Sequence, residues 1–362
     1  MEIQEINLLI LSLFLGIYIL ILQRLNSFQS FPKKDINYFI AKPNHISFFD
    51  FAKGIAIIAV VIIHATLFMR TLPESPSESF LIWNEGINRI MRFAISIFFI
   101  TSGALLFIKE IKGFYLNKVK RILLPYAFFS FSATYAFSGE FQGFFDYVLT
   151  AFKEFLTGRA LAPYWFIPVL FQLYIVSPFL IYLFKKVKTE IILFASFVFS
   201  LASYFLISPG SFPFFGNFLF FFILGIALKP FFFEEKREWL DKTGFIYCFL
   251  FIFLLYLSIG MAQPFERYYN TRLIYGPAIM LFLFYIYPSL PEIIKKGTEK
   301  IGRQSLYIYL LHFMVIYSLT AIIVIFEIQN INPFVLLSSL AVFTFIITYI
   351  AIISLQKVLA IK

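Results

Sequence analysis

The sequence predicts an all-α integral membrane protein: a polytopic bundle of about ten core transmembrane helices, with one further N-terminal transmembrane helix in front. Three observations carry this expectation. The chain of 362 residues is 60% hydrophobic and only 14% charged, with 53 Phe and 21 Tyr, whereas a soluble domain is nearer a quarter charged. Its mean hydropathy is +0.86. Its apolar residues also fall into long uninterrupted runs, separated by short stretches that hold most of the charge.

A helical span needs about 20 predominantly apolar residues. Measured that way, runs occur near 6–22, 46–68, 93–108, 122–138, 164–184, 190–207, 214–229, 244–262, 272–288, 304–326 and 334–355. Lipid offers no hydrogen-bond partner to the backbone, so each run is expected to be helical. A membrane barrel would show strands of about ten residues with alternating polarity, and these runs are longer and apolar all round. The first run follows Glu2 and Glu5 and precedes Arg24. It lacks the basic start and small-residue cleavage site of a signal peptide, so it reads as a retained span. Residues 1–45 then form an additional helix and linker, and residues 46–362 the membrane domain.

Orientation follows from the basic residues, which favour cytoplasmic loops. With the N-terminus outside, the stretches 23–45, 109–121, 185–188, 229–243, 289–303 and 356–362 lie inside and hold 22 Lys and Arg. The outside stretches hold 7, and Lys53 lies within a span. The expected location is the cytoplasmic (inner) membrane, with the C-terminus cytoplasmic. The net charge of +10 is thus a matter of topology, and no nucleic acid is expected. The single cysteine, Cys248, falls inside an apolar run, so there is no disulfide framework. Residues 139–163 are amphipathic, with Phe144, Phe145, Val148, Leu149, Phe152, Phe155 and Leu156 at helical spacing. Such a helix lies on the membrane surface or caps a cavity.

Ionisable groups inside a span are costly and mark functional sites. The run FFDFAKGIAIIAVVIIHATLF holds Asp50, Lys53 and His64. Lys53 and His64 are eleven residues apart, about 20° past three helical turns, so they share a face at an axial separation of about 16 Å. Asp50 is three residues from Lys53 and can pair with it. The outcome is a polar line across a bilayer, with Lys53 towards the cytoplasm and His64 nearer the exterior. His312 sits within a later span. Ser102, in a Thr-Ser-Gly stretch, can line the same pore or simply allow close helix packing. Glu85, Arg89 and Arg92 fall at helical spacing on the outer side, where they can hold an acidic acceptor or pair with one another. Tyr164 and Trp165 lie at the outer interface, where aromatic residues are common.

A Lys or Arg, ten intervening residues and a His in the first core helix resembles the signature of the acyltransferase 3 family of membrane acyltransferases. Four other stretches agree in order: RFAISIFFITSG (92–103), KVKRILLPY (118–126), PYWFIPVLFQLYIVSP (163–178) and GRQSLYIYLLH (302–312). The family more often has Arg at the positions of Lys53 and Lys118, and Lys keeps the charge but not the bidentate fork. The run at 6–22 is additional to the ten-helix core that the resemblance implies.

The resemblance implies transfer of an acyl group, usually acetyl, from cytoplasmic acyl-CoA to a hydroxyl on an envelope or exported glycan or a lipid-linked sugar. In that chemistry His64 is the general base for the acceptor hydroxyl or an acyl carrier. Lys53 contacts the donor's phosphates or stabilises charge on the thioester carbonyl. Lys118, Lys120 and Arg121 meet the anionic phosphates at the cytoplasmic mouth. Asp50, Ser102, Trp165, His312, Glu85, Arg89 and Arg92 are expected to line the pore or the acceptor path. No metal is expected; glycan-biosynthesis proteins are candidate partners. Two further readings are a polysaccharide export or modification partner without its own chemistry, and a transporter built on the Asp50–Lys53–His64 line. Transporters show paired interrupted segments near the midplane, and the sequence has none evident.

Overall fold

A computed structural model describes residues 46–72, 77–137, 141–206, 213–233, 272–328 and 331–358, with isolated positions between 246 and 256. The expected N-terminal span at 6–22 and most of the run at 244–262 lie outside the described residues. Among the described residues every regular element is helical, as expected where lipid leaves the backbone no other partner.

The first helix, α1, spans Ser47–Phe68. It is followed by α2 (Glu78–Met91), α3 (Phe93–Ala104) and α4 (Ile111–Lys118). A π-helical turn over Val119–Leu123 joins α4 to α5 (Leu124–Phe137). Then come α6 (Phe144–Thr157), a 3₁₀ turn (Ala162–Trp165), α7 (Phe166–Lys186) and α8 (Thr189–Leu206). The chain continues through α9 (Leu219–Phe233), α10 (Arg272–Ile286), α11 (Glu292–Arg303), α12 (Ser305–Ile325) and α13 (Pro333–Val358). Among the described residues, five helical stretches are long and apolar enough to cross a membrane: Ser47–Phe68, Ala162–Lys186, Phe215–Phe233, Ser305–Ile325 and Pro333–Lys357. The runs at 93–108, 122–138 and 272–288 fold as the shorter helices α3, α5 and α10, and the run at 190–207 as α8, whose apolar stretch Thr189–Ser203 is also short.

Helix α1 is the axis of the bundle. Phe48, Phe49, Phe51, Ala52, Ala56 and Ile57 are buried along it, and α3, α11, α12 and α2 pack around it. Phe48 sits in an aromatic cluster with Phe232, Phe284 and Tyr287. The closest approach is between α1 and α11. A side chain at Gly302 would run into the Asp50 carbonyl and the Gly54 amide, and one at Gly54 into the Thr298 carbonyl. Glycine at both positions lets the two backbones touch, the device of small residues at membrane helix interfaces. Between α3 and α9, Gly103 meets the Phe222 carbonyl and Gly225 the Ile100 carbonyl in the same way.

The amphipathic stretch forms helix α6, ended by Gly158 in the left-handed conformation at φ 68°. Its apolar residues Phe144, Phe145, Leu149, Phe152 and Leu156 are exposed. Its other face is tied to α5: Glu154 accepts from Thr134 at 2.6 Å, and the Phe155 carbonyl accepts from Tyr126 at 2.7 Å. An apolar face turned away from the bundle suits contact with lipid.

The α1–α11 contact generates a stability prediction. Gly302→Val is expected to cost about 1–3 kcal/mol by overpacking and to lower the thermal midpoint of the detergent-solubilised protein. Gly297→Ala, on the same helix but facing open space, should not lower the midpoint and is expected to raise it slightly, because alanine is the better helix former.

Candidate active site

The pairing anticipated between Asp50 and Lys53 is present: Lys53 Nζ lies 2.8 Å from Asp50 Oδ1. A second cation, Arg303 at the end of α11, approaches the other carboxylate oxygen at 3.8 Å. The i,i+3 spacing on α1 supplies the first contact. The Gly54–Thr298 and Gly302–Asp50 packing carries Arg303 to the second. Asp50 is buried while Lys53 is half-buried, so the ammonium keeps a polar outlet that the carboxylate lacks.

That outlet is a cavity of about 710 Å³, lined by residues of α1, α3, α4, α5's preceding turn, α7, α11 and α12. Its cations are Lys53, Lys109, Lys118, Arg121 and Arg303, and Glu110 is the single acidic residue in its lining. The wall is otherwise apolar and aromatic, including Phe98, Phe166 and Tyr174, with Ser102 and Tyr309 among its hydroxyls. Lys118 is placed by the ring of Tyr174, 3.9 Å from its centroid, a cation–π contact that fixes an otherwise mobile side chain. The π-helical turn that follows carries Lys120 and Arg121. Both are exposed; Arg121 lines the cavity and Lys120 does not.

Above the cavity lies the histidine level. His64 and His312, from α1 and α12, have ring centroids 5.2 Å apart. His64 also meets Phe313 edge-on at 5.3 Å. His312 is fully buried, and its Nδ1 lies 3.0 Å from the Ile308 carbonyl and 2.8 Å from the Tyr309 carbonyl. Two acceptors at one nitrogen require that Nδ1 carry the proton. His64 is half-buried. Neither histidine is in the cavity lining; Tyr309 is.

A crossed pair of hydrogen bonds locks the segment between the two levels. Tyr164 donates to the Leu310 carbonyl at 2.6 Å, and Tyr309 donates to the Pro163 carbonyl. The Tyr-Trp pair therefore sits inside the bundle: Tyr164 is fully buried, and Trp165 stacks on Phe218 at 5.1 Å.

Glu85, Arg89 and Arg92 gather on α2 at the far side of the histidines. Glu85 binds Arg89 at 2.5 Å and also pairs with Arg70. Arg92 Nε donates to Asn88 at 2.8 Å. Asn88 in turn donates to Thr66 Oγ1 at 2.6 Å and to the Ile63 carbonyl at 3.1 Å. This network ties α2 to the turn of α1 that carries His64. Arg92 and His312 are groups close enough to act on His64 electrostatically.

The structure thus brings Lys53, Ser102, Lys118 and Arg121 to one cavity and His64 and His312 to one contact. It sets Glu85 in ion pairs with Arg70 and Arg89, Arg92 in the Asn88–Thr66 contacts beside the turn of His64, and Trp165 in the wall between helices. Lys109 and Tyr309 join the cavity without having been singled out by sequence. Lys109 stands at the head of the basic stretch, and that was its only signal.

Comparison with known proteins agrees with this architecture. No curated protein and no solved structure matches the chain. The sequence model of the acyltransferase domain matches residues 46–353, which takes in α1, the cavity and both histidines. The chain therefore belongs to the acyltransferase 3 family and is a membrane acyltransferase.

Proposed function

We propose that the chain transfers an acyl group, acetyl in the first instance, from cytoplasmic acyl-CoA to a hydroxyl of an envelope or exported glycan or a lipid-linked sugar. The observation that carries this reading is the cavity, in which five cations from four separate stretches of sequence converge against one acid. A nucleotide donor brings several phosphate charges on a long flexible arm. The cation-rich, partly apolar cleft of about 710 Å³ suits both. Lys118, Arg121 and Lys109 would meet the phosphates, with Lys120 adding charge at the mouth. Lys53, braced by Asp50 and deeper along α1, would face the pantetheine arm or the thioester carbonyl. The basic end is then cytoplasmic, in the inner membrane, as the distribution of Lys and Arg implies.

His64 lies about 16 Å further along α1 at the rise of a helix, a distance suited to the arm of the donor. Its imidazole would take the proton of the acceptor hydroxyl as the oxygen attacks the thioester carbonyl. The thiolate leaving group then recovers that proton. Glu85, Arg89, Arg92 and Trp165 would stand on the acceptor side. Glycan-biosynthesis proteins would supply the acceptor.

Purified protein given labelled acetyl-CoA and a glycan extract is expected to transfer label. His64→Ala should lower the rate about 10²- to 10⁴-fold with little change in the KM for acyl-CoA; undiminished transfer would remove His64 from the chemistry. The double change Lys118→Ala and Arg121→Ala should raise that KM about tenfold or more, since each charged contact contributes about 1.5–3 kcal/mol. An unchanged KM would reduce the basic stretch to a topology signal. In cells, mass analysis of envelope glycans with and without the gene identifies the acceptor by the acetyl groups that disappear.

A further inference from the structure

Among the described residues, two buried nitrogens at the histidine level have no hydrogen-bond partner: His64 Nδ1 and His312 Nε2. An orphaned polar atom in a protein interior costs free energy and calls for an explanation. These two sit on rings whose centroids are 5.2 Å apart. That spacing allows a nitrogen-to-nitrogen approach of about 3 Å, a hydrogen-bond length, once the two atoms face each other.

When the two atoms face each other, the protons fit one way. His312 Nδ1 is committed as a donor to the Ile308 and Tyr309 carbonyls, so in the neutral ring Nε2 is an acceptor. The complementary donor is a protonated His64 Nδ1. With its hydrogen on Nδ1, His64 has its lone pair on Nε2, the form a general base needs. We propose that His312 is the positioning residue of this acyltransferase: by accepting a hydrogen bond from His64 Nδ1, it selects the tautomer and ring orientation in which His64 Nε2 receives the acceptor's proton.

This inference rests on the general-base reading of His64 given above. During transfer the acceptor O–H bond breaks as its proton moves to His64 Nε2. The acceptor oxygen forms a bond to the acyl carbon, and the carbon–sulfur bond breaks. The proton passes from Nε2 to the departing thiolate, giving ester and free CoA thiol. His64 keeps its Nδ1 proton throughout, held by His312, which is fixed by its own backbone and touches no substrate. The arrangement has the logic of an orienting group behind a catalytic imidazole, with a second imidazole as the orienting group.

The chain holds 3 histidines, so imidazole nitrogen resonances from histidine-labelled protein can be assigned by substitution. The expected spectrum of the detergent-solubilised full-length protein shows His64 protonated at Nδ1 and His312 also protonated at Nδ1. His312→Ala should move His64 to the Nε2-protonated or a mixed form. The same variant should lower kcat about 10²- to 10³-fold, the range of general-base assistance, and leave the KM for acyl-CoA unchanged. His312→Gln places an amide oxygen near the lost Nε2 and should restore the His64 tautomer and a large part of kcat. A His64 tautomer indifferent to His312→Ala would overturn the proposal. So would a His312→Gln variant that folds but is no better than alanine in both readouts. Absence of acyl transfer by the unaltered protein would count against the functional reading alone, because the tautomer is read without turnover.

Discussion

A charged amine inside an apolar helix is tolerated only if it is paired and has a path to water, and the arrangement around α1 follows from that requirement at Lys53. Asp50 supplies the pairing one turn away. The cavity supplies the outlet. Asp50, once buried, needs further compensation, and Arg303 approaches it because glycines at 54 and 302 let α11 reach α1. The same close approach puts α11 at the foot of α12, which carries Tyr309 and His312 back towards the line begun by Lys53. A single costly residue thus connects the helix packing to the chemistry.

In the proposed function, the two levels of the site divide the work of a transferase. The lower level is roomy, cationic and partly exposed, which are the properties of a place that binds and releases a polyanionic donor. The upper level is tight, lies next to Arg92, and has one of its two imidazoles, His312, held by hydrogen bonds to backbone carbonyls. A base works best where its geometry is fixed in advance, and the His312 contacts to Ile308 and Tyr309 provide that on a rigid helix. The family makes the chain an acyltransferase; in the proposed function, the separation of levels lets one chain bind a donor from one end and act at the other.

Much of this was legible from residue spacing, because spacing within one helix is local geometry. The Asp50–Lys53 pair, the shared face of Lys53 and His64 and the Glu85–Arg89 contact all depend on the helical repeat alone. The amphipathic segment at 144–157 was legible for the same reason. What spacing could not supply is contact across the bundle. His64 and His312 are 248 positions apart, and only the packing of α12 on α1 brings the rings together. Trp165 carries a related lesson: an aromatic beside an expected interface looks like an anchor at the surface, yet here it stacks within the bundle on Phe218. Lys120 looks equivalent to its basic neighbours, but the π-helical turn leaves it exposed outside the cavity lining.

The crossed bonds of Tyr164 and Tyr309 bear on a different demand. A membrane that stores energy as an ion gradient must not be short-circuited by the proteins embedded in it, and a water-accessible cleft that continued through the bundle would do that. Where the cleft reaches Tyr309, the two phenols donate to the main-chain carbonyls of Leu310 and Pro163. Both phenol protons are thereby committed, and neither side chain carries charge at neutral pH. Held this way, the two phenols add no charge to the wall between the cavity and the histidines, and in the proposed reaction the acyl-bearing arm of the donor would pass aromatic faces there.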